Sequence, residues 1–244
     1  MPASYARRLL AVERTAEGNA HLGWLLAFVA GATNAGGFLA VHHYTSHMTG
    51  LVSAAADGLV LGQHEAWMMA VGALLFFLAG AATTAVLVNL GRQRLAHSIY
   101  ALPLLLEAAC LLAFGLMGAW LASLQGLLVP ATVAVLCFTM GLQNALITKV
   151  SRAEIRTTHV TGIVTDLGIE LGRALVGLGG TPMPANTAKL RLLGGLLLAF
   201  AVGGVAGAWA FKAIGYTATL PLAGALAFLG LVPALDDLVR ARAR

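Results

Sequence analysis

Six apolar runs, each close to the length of a bilayer crossing, constrain this chain more than any other feature. They lie near Leu22 to Val41, Trp67 to Leu90, Ala101 to Leu121, Leu127 to Ile147, Leu190 to Phe211 and Thr217 to Ala234. A crossing helix needs about 20 predominantly apolar residues, and in hydrocarbon the backbone must bond to itself, which a helix does. The runs therefore predict an all-α integral membrane protein with six transmembrane helices, filling 1–244 as a single membrane domain. Composition agrees: 59% of residues are hydrophobic and 10% charged, against about 25% charged in an ordinary soluble domain, too few to build a water-facing surface. Cys110 and Cys137 fall inside apolar runs and read as packing residues.

Two stretches interrupt this pattern, and they resemble each other. Thr45-Ser46-His47-Met48-Thr49-Gly50 follows the first run, and Thr157-Thr158-His159-Val160-Thr161-Gly162 follows the fourth, 112 residues later. Upstream, Gly31-Ala32-Thr33-Asn34-Ala35 matches Gly141-Leu142-Gln143-Asn144-Ala145 at an offset of 110. Two blocks repeated in the same order point to a duplication, with repeat one over about 22–123 and repeat two over about 127–235. Each His motif opens a segment with apolar residues at helical spacing, Thr45 to Gly62 and Thr157 to Leu175, and the Ser/Thr residues ahead of it are suited to cap a helix. Each repeat is thus expected to carry an extra short amphipathic or re-entrant helix.

Charge decides whether these extra helices cross. If they do not, Arg7, Arg8, Arg14, Arg92, Arg94, Lys149, Arg152, Arg156, Arg173, Lys189, Arg191, Arg240, Arg242 and Arg244 share one side, and Lys212 alone lies opposite. If both cross, the division is far more even. The positive-inside rule favours the first arrangement, which puts both termini in the cytoplasm. Arg7, Arg8 and Arg14 precede the first run with no obvious cleavage site, so that run reads as a retained helix. A three-crossing repeat must return in the opposite orientation, so the two motifs approach from opposite faces and can meet near the midplane.

The residues from Gly31 to Gly50 and from Met140 to Leu175, with Glu107 between them, resemble the YoaK-like family of bacterial integral membrane proteins, a domain of unknown function. The resemblance spans about Leu22 to Leu235. It implies a multi-pass protein of the bacterial inner membrane and carries no substrate with it.

Site residues are therefore argued from their own chemistry. His47 and His159 hold equivalent places ahead of a Thr-Gly step, either as functional groups or as interfacial anchors. Thr49 with Ser53, and Thr161 with Thr165, share a helix face; they can line a polar path or bond to nearby backbone. Asn34 and Asn144 can hold a neutral solute or tie down a broken helix, and Gln143 adds a second amide. Glu107, inside the third run with Ala225 as its approximate counterpart, is an ionisable group within a span and a functional hypothesis by default. Asp166, Glu170 and Arg173 share a face that reads as solvated, with Asp166 nearest the motif. His42, His43 and His47 lack any counterpart group in the second half, and no metal or other cofactor is assigned. Phosphate-binding loops, HExxH pairs and nucleophile elbows are absent, so no enzyme is expected. The expected partners are the lipid bilayer and an unknown small solute, with a homo-oligomer left open and no nucleic acid. The expected function is a small-solute transporter or channel, with a structural or regulatory membrane protein as the alternative and an intramembrane enzyme using His47, His159 and Glu107 behind it.

Overall fold

The computed structural model describes residues 2–11, 14–41, 43–94, 98–121, 125–178 and 186–242. Among these residues there is no strand. The helices are α1 (Pro2–Leu10), α2 (Ala16–Val41), α3 (Met48–Val60), α4 (His64–Arg94), α5 (Ala101–Leu121), α6 (Gln125–Val150), α7 (Val160–Leu178), α8 (Thr187–Ile214) and α9 (Thr219–Arg242). Four described stretches are long and apolar enough to cross a membrane: Ala16–Ala40, His64–Gln93, Pro130–Val150 and Thr187–Asp237. The last contains two helices, because Gly215 adopts φ 63° and turns the chain from α8 into α9. α5 is apolar and 21 residues long, about 31 Å at 1.5 Å per residue. Pro103 and Pro221 each fall at the third residue of their helix, α5 and α9, where a missing N–H leaves no bond unmade.

The helices pack in a pattern that uses each contact twice. α2 lies along α8, and a Cβ placed on Gly31 would meet the Phe200 carbonyl and the Gly204 nitrogen. α4 lies along α6 in the same way: a Cβ on Gly141 would meet the Phe77 carbonyl and the Ala81 nitrogen. Likewise Gly203 faces the Phe28 carbonyl and Gly80 the Phe138 carbonyl. Small residues let these backbones approach closely, the usual means of packing helices where lipid supplies no hydrophobic drive. Within both pairs the helices run parallel, since later residues of one meet later residues of the other: Trp24 donates to the Leu192 carbonyl and Gly36 faces Phe211.

α2 and α6 form the inner pair and run antiparallel, with Leu22 and Leu26 in one buried cluster with Leu146, Ile147 and Val150, while Gly37 lies against Leu136 at the other end. α5 and α9 also cross antiparallel. Gly115 faces Tyr216 and Leu220, and Gly230 faces Ala101 and Leu105, each 115 residues on from its twin. That register puts Leu222, not Ala225, in the place matching Glu107. The outer surfaces of α4 and α8 carry Leu75, Leu78, Val205 and Trp209, each at least 60% exposed, apolar faces suited to meet lipid. At one end of the bundle Arg7 clasps Asp236 at 2.5 and 3.0 Å, tying α1 to α9, and Arg14 donates to the Val150 carbonyl.

Candidate functional site

α3 and α7, 13 and 19 residues long, are shorter than the helices they pack against and begin inside the bundle as half-helices. α3 folds back against α4 through a turn at Gly62, φ 70°, where Gln63 donates to the Gly58 carbonyl. α7 is antiparallel to α8: Asn186 donates its backbone N–H to Glu170, Lys189 pairs with Asp166 at 3.5 Å, and Ile163 joins the buried cluster of Leu193 and Leu196. Phe77 and Phe200, which flank the helix starts, each lie 13 residues into α4 or α8. That is about 20 Å along helices about 46 and 42 Å long, near mid-length.

Each half-helix starts in the same way. Leu51 N–H bonds to the His47 carbonyl and Ile163 N–H to the His159 carbonyl, so each histidine stands where the helix begins. Its ring folds over the third helical residue, glycine in both copies. A Cβ on Gly50 or Gly162 would collide with that ring, which explains the spacing His-x-x-Gly. Ahead of α3 the Ser/Thr residues do not cap, contrary to the sequence expectation: the N-cap of α3 is His47, with no side-chain cap bond. Ser46 Oγ donates instead to Asn34 Oδ1 at 2.9 Å, with a second bond from the Ser46 backbone, and Thr158 Oγ1 donates to Asn144 Oδ1 at 2.8 Å. Both asparagines therefore tie down the segment ahead of a half-helix, and Asn144 also donates to the Met140 carbonyl.

The two starts open on one cavity of about 640 Å³. Asn34, His47 and Thr49 line it from repeat one, and Asn144, His159 and Thr161 from repeat two. Phe77 and Phe200 flank it, as do Tyr44, Ser46, Thr148, Arg156 and Thr158. Sequence reasoning did not assign these residues to the site. Tyr44 and Arg156 hold the same motif position and could have been found by reading both copies one step further back. Phe77 and Phe200 carry no such signal, because the spans that hold them have no polar motif to align.

The remaining expected residues lie elsewhere. Ser53 is on the exposed outer face of α3, and Thr165 donates to the Thr161 carbonyl at 2.9 Å, the backbone use of a helical hydroxyl. Thr165 and Asp166 line a neighbouring cavity of about 510 Å³ on the α7 side, which shares Arg156, His159 and Thr161 with the first. Glu170 is not on a solvated face: only 1% of its side chain is exposed, and it bonds Arg173 at 2.9 Å with Lys189 at 3.8 Å. His42 lies outside the described residues. Among those described, no three His, Cys, Asp or Glu side chains are placed to hold a metal.

Glu107 is fully buried on α5 and reaches the site only through others. It accepts a 2.7 Å bond from Gln143 Nε2, and Gln143 Oε1 accepts a longer one of 3.4 Å from Thr157 Oγ1. Its second carboxyl oxygen has no partner among the described residues. In repeat one the matching positions, Thr33 and Thr45, are buried with hydroxyls that likewise lack a partner there.

The family model for a protein of unknown function, DUF1275, matches residues 22–232. The chain belongs to the DUF1275 family. The match covers both half-helices, both tethering asparagines and Glu107, so the whole site lies inside the DUF1275 region. The YoaK-like resemblance agrees with this membership. No curated protein and no solved structure matches the chain.

Proposed function

We propose that this DUF1275 member is a small-solute transporter or channel of the bacterial inner membrane, in which six helices cross as two inverted three-helix repeats. The observation that carries this reading is the single cavity touched by the starting ends of both half-helices. The relative helix directions support the inversion: α2, α5 and α8 run one way, and α4, α6 and α9 the other. Irregular backbone at depth is tolerated only where it is buried in protein or lines a wet cavity, and discontinuous helices at the repeat interface are where transporters place their solute. The distribution of Lys and Arg supports cytoplasmic termini.

In this reading Thr49 and Thr161 face the solute, and Glu107 with Gln143 and Thr157 provides a titratable group linked to the segment ahead of α7. The test is uptake or leak of a solute panel into reconstituted vesicles, comparing wild type with a Thr49→Ala/Thr161→Ala double variant. At least one solute should move through wild type and slow in the variant. Equal rates for every solute favour a scaffold role. Glu107→Gln should remove any pH dependence of flux while the protein remains folded.

A further inference from the structure

We propose that the solute held in this cavity is a small anion, with Arg156 as its counter-charge in the cavity on which α3 and α7 both start. The inference rests on the transport reading for the cavity's role, and on separate observations for the ligand's charge. No carboxylate is among the described residues lining the cavity, whereas a guanidinium is. Arg156 makes no ion pair or hydrogen bond with any described residue, although the carboxylates of Glu154 and Asp166 line the adjoining cavity. The Arg156 guanidinium is exposed and lines the cavity with no carboxylate beside it there, so an anion entering the cavity meets an unpaired positive charge.

The other polar groups facing the cavity include donors in matched pairs. The first backbone N–H groups of α3 have no side-chain cap, and α7 begins in the same register, with Ile163 N–H bonded back to the His159 carbonyl. N–H groups at a helix start point outward along a dipole that favours negative charge. The hydroxyls of Thr49 and Thr161 bond to no described residue, while those of Ser46, Thr158 and Thr165 are engaged. His47 and His159 each offer a ring N–H in either protonation state. A small cation would meet the positive ends of two helices and a guanidinium, and a neutral solute would leave these charges unused. The volume accommodates a carboxylate or an inorganic oxyanion with some of its water.

The experiment measures thermal unfolding of the purified full chain across sodium acetate, nitrate, sulfate and phosphate at constant ionic strength, with choline exchanged for sodium at fixed anion as the cationic probe and glycerol as the neutral one. Vesicle fluxes of the same solutes run in parallel. At least one anion should stabilise saturably. Its apparent Kd should rise about ten- to hundred-fold in Arg156→Gln, the range for a lost charge-assisted bond. Arg156→Lys should bind at an intermediate level, and Lys212→Gln, far along α8, should match wild type. If Arg156→Gln does not fold, the Lys variant and the wild-type ranking of anions carry the test. No saturable response to any anion overturns the proposal, as does a response that is equal in the Arg156 variants and wild type. Flux of neutral solutes or cations alone overturns it while leaving transport standing. Anion binding without flux upholds the site and removes transport.

Discussion

At the scale of single residues, what a glycine faces decides what its replacement costs. Gly31 and Gly141 face backbone carbonyls of a neighbouring helix, which cannot turn aside. Gly31→Ala and Gly141→Ala should each lower stability by about 1–3 kcal/mol, the usual cost of forcing a methyl into a packed contact, read as a lowered midpoint of thermal unfolding in detergent. Gly72→Ala, with open space around it, should leave the midpoint unchanged. Gly50 and Gly162 face only the histidine rings, and His47 and His159 are exposed enough to swing away. Their alanine variants should therefore unfold near the wild-type temperature yet lose ligand binding and flux, because the ring is displaced toward the cavity. Glu107 poses a different choice. Glu107→Gln keeps an oxygen for Gln143 Nε2, whereas Glu107→Leu strands a buried donor at a cost of about 1–3 kcal/mol. The leucine variant should unfold at a clearly lower temperature than the glutamine one.

At the scale of elements, the half-helices depend on tethers from the long ones. Asn34→Ala removes the acceptor for two bonds from Ser46, and Asn144→Ala removes that for Thr158. Each should cost about 1 kcal/mol and reduce flux more than stability, since the helix start would lose its fixed position; thermal unfolding beside vesicle flux separates the two effects. These helices were largely legible in the sequence. The long apolar runs mark α2, α4, α5, α6, α8 and α9, with ends within four residues except that α2 begins six residues earlier and α9 runs eight residues further, where charged residues join the helix beyond its apolar stretch. The duplicated His-x-x-Gly step marks α3 and α7. What the sequence did not reveal depends on partners brought from afar. Ser46 and Thr158 fit the profile of caps, and only the return of the chain beside Asn34 or Asn144 makes them tether donors instead. Glu170 looks solvated until α8 covers it with Asn186 and Lys189. Phe77 and Phe200 join the site because α4 and α8 happen to be at mid-length there, a matter of helix register that no local pattern encodes.

At the scale of the whole molecule, the directions of the helices tie two features together that could otherwise vary independently. The turn after α3 and the start of α8 both connect a half-helix to a full-length one, and α4 runs opposite to α8 because α4 follows α6, α6 opposes α2, and α2 follows α8. If the bundle spans a bilayer as proposed, residues at these two places must emerge on opposite faces, whichever face is the cytoplasm. Gln63 lies in the first turn and Ala188 at the start of α8, both exposed. Single cysteines at Gln63 and Ala188, in a chain with Cys110 and Cys137 replaced by alanine, should therefore react differently with a membrane-impermeant maleimide. The charge distribution sets the sense: Gln63→Cys should label on intact cells, and Ala188→Cys only after permeabilisation. Reversed labelling would keep the inverted architecture and invert its placement. Labelling of both from one side would mean that both half-helices enter from the same face; their starts could then not oppose each other across the bilayer midplane, and a path between them would have no second exit.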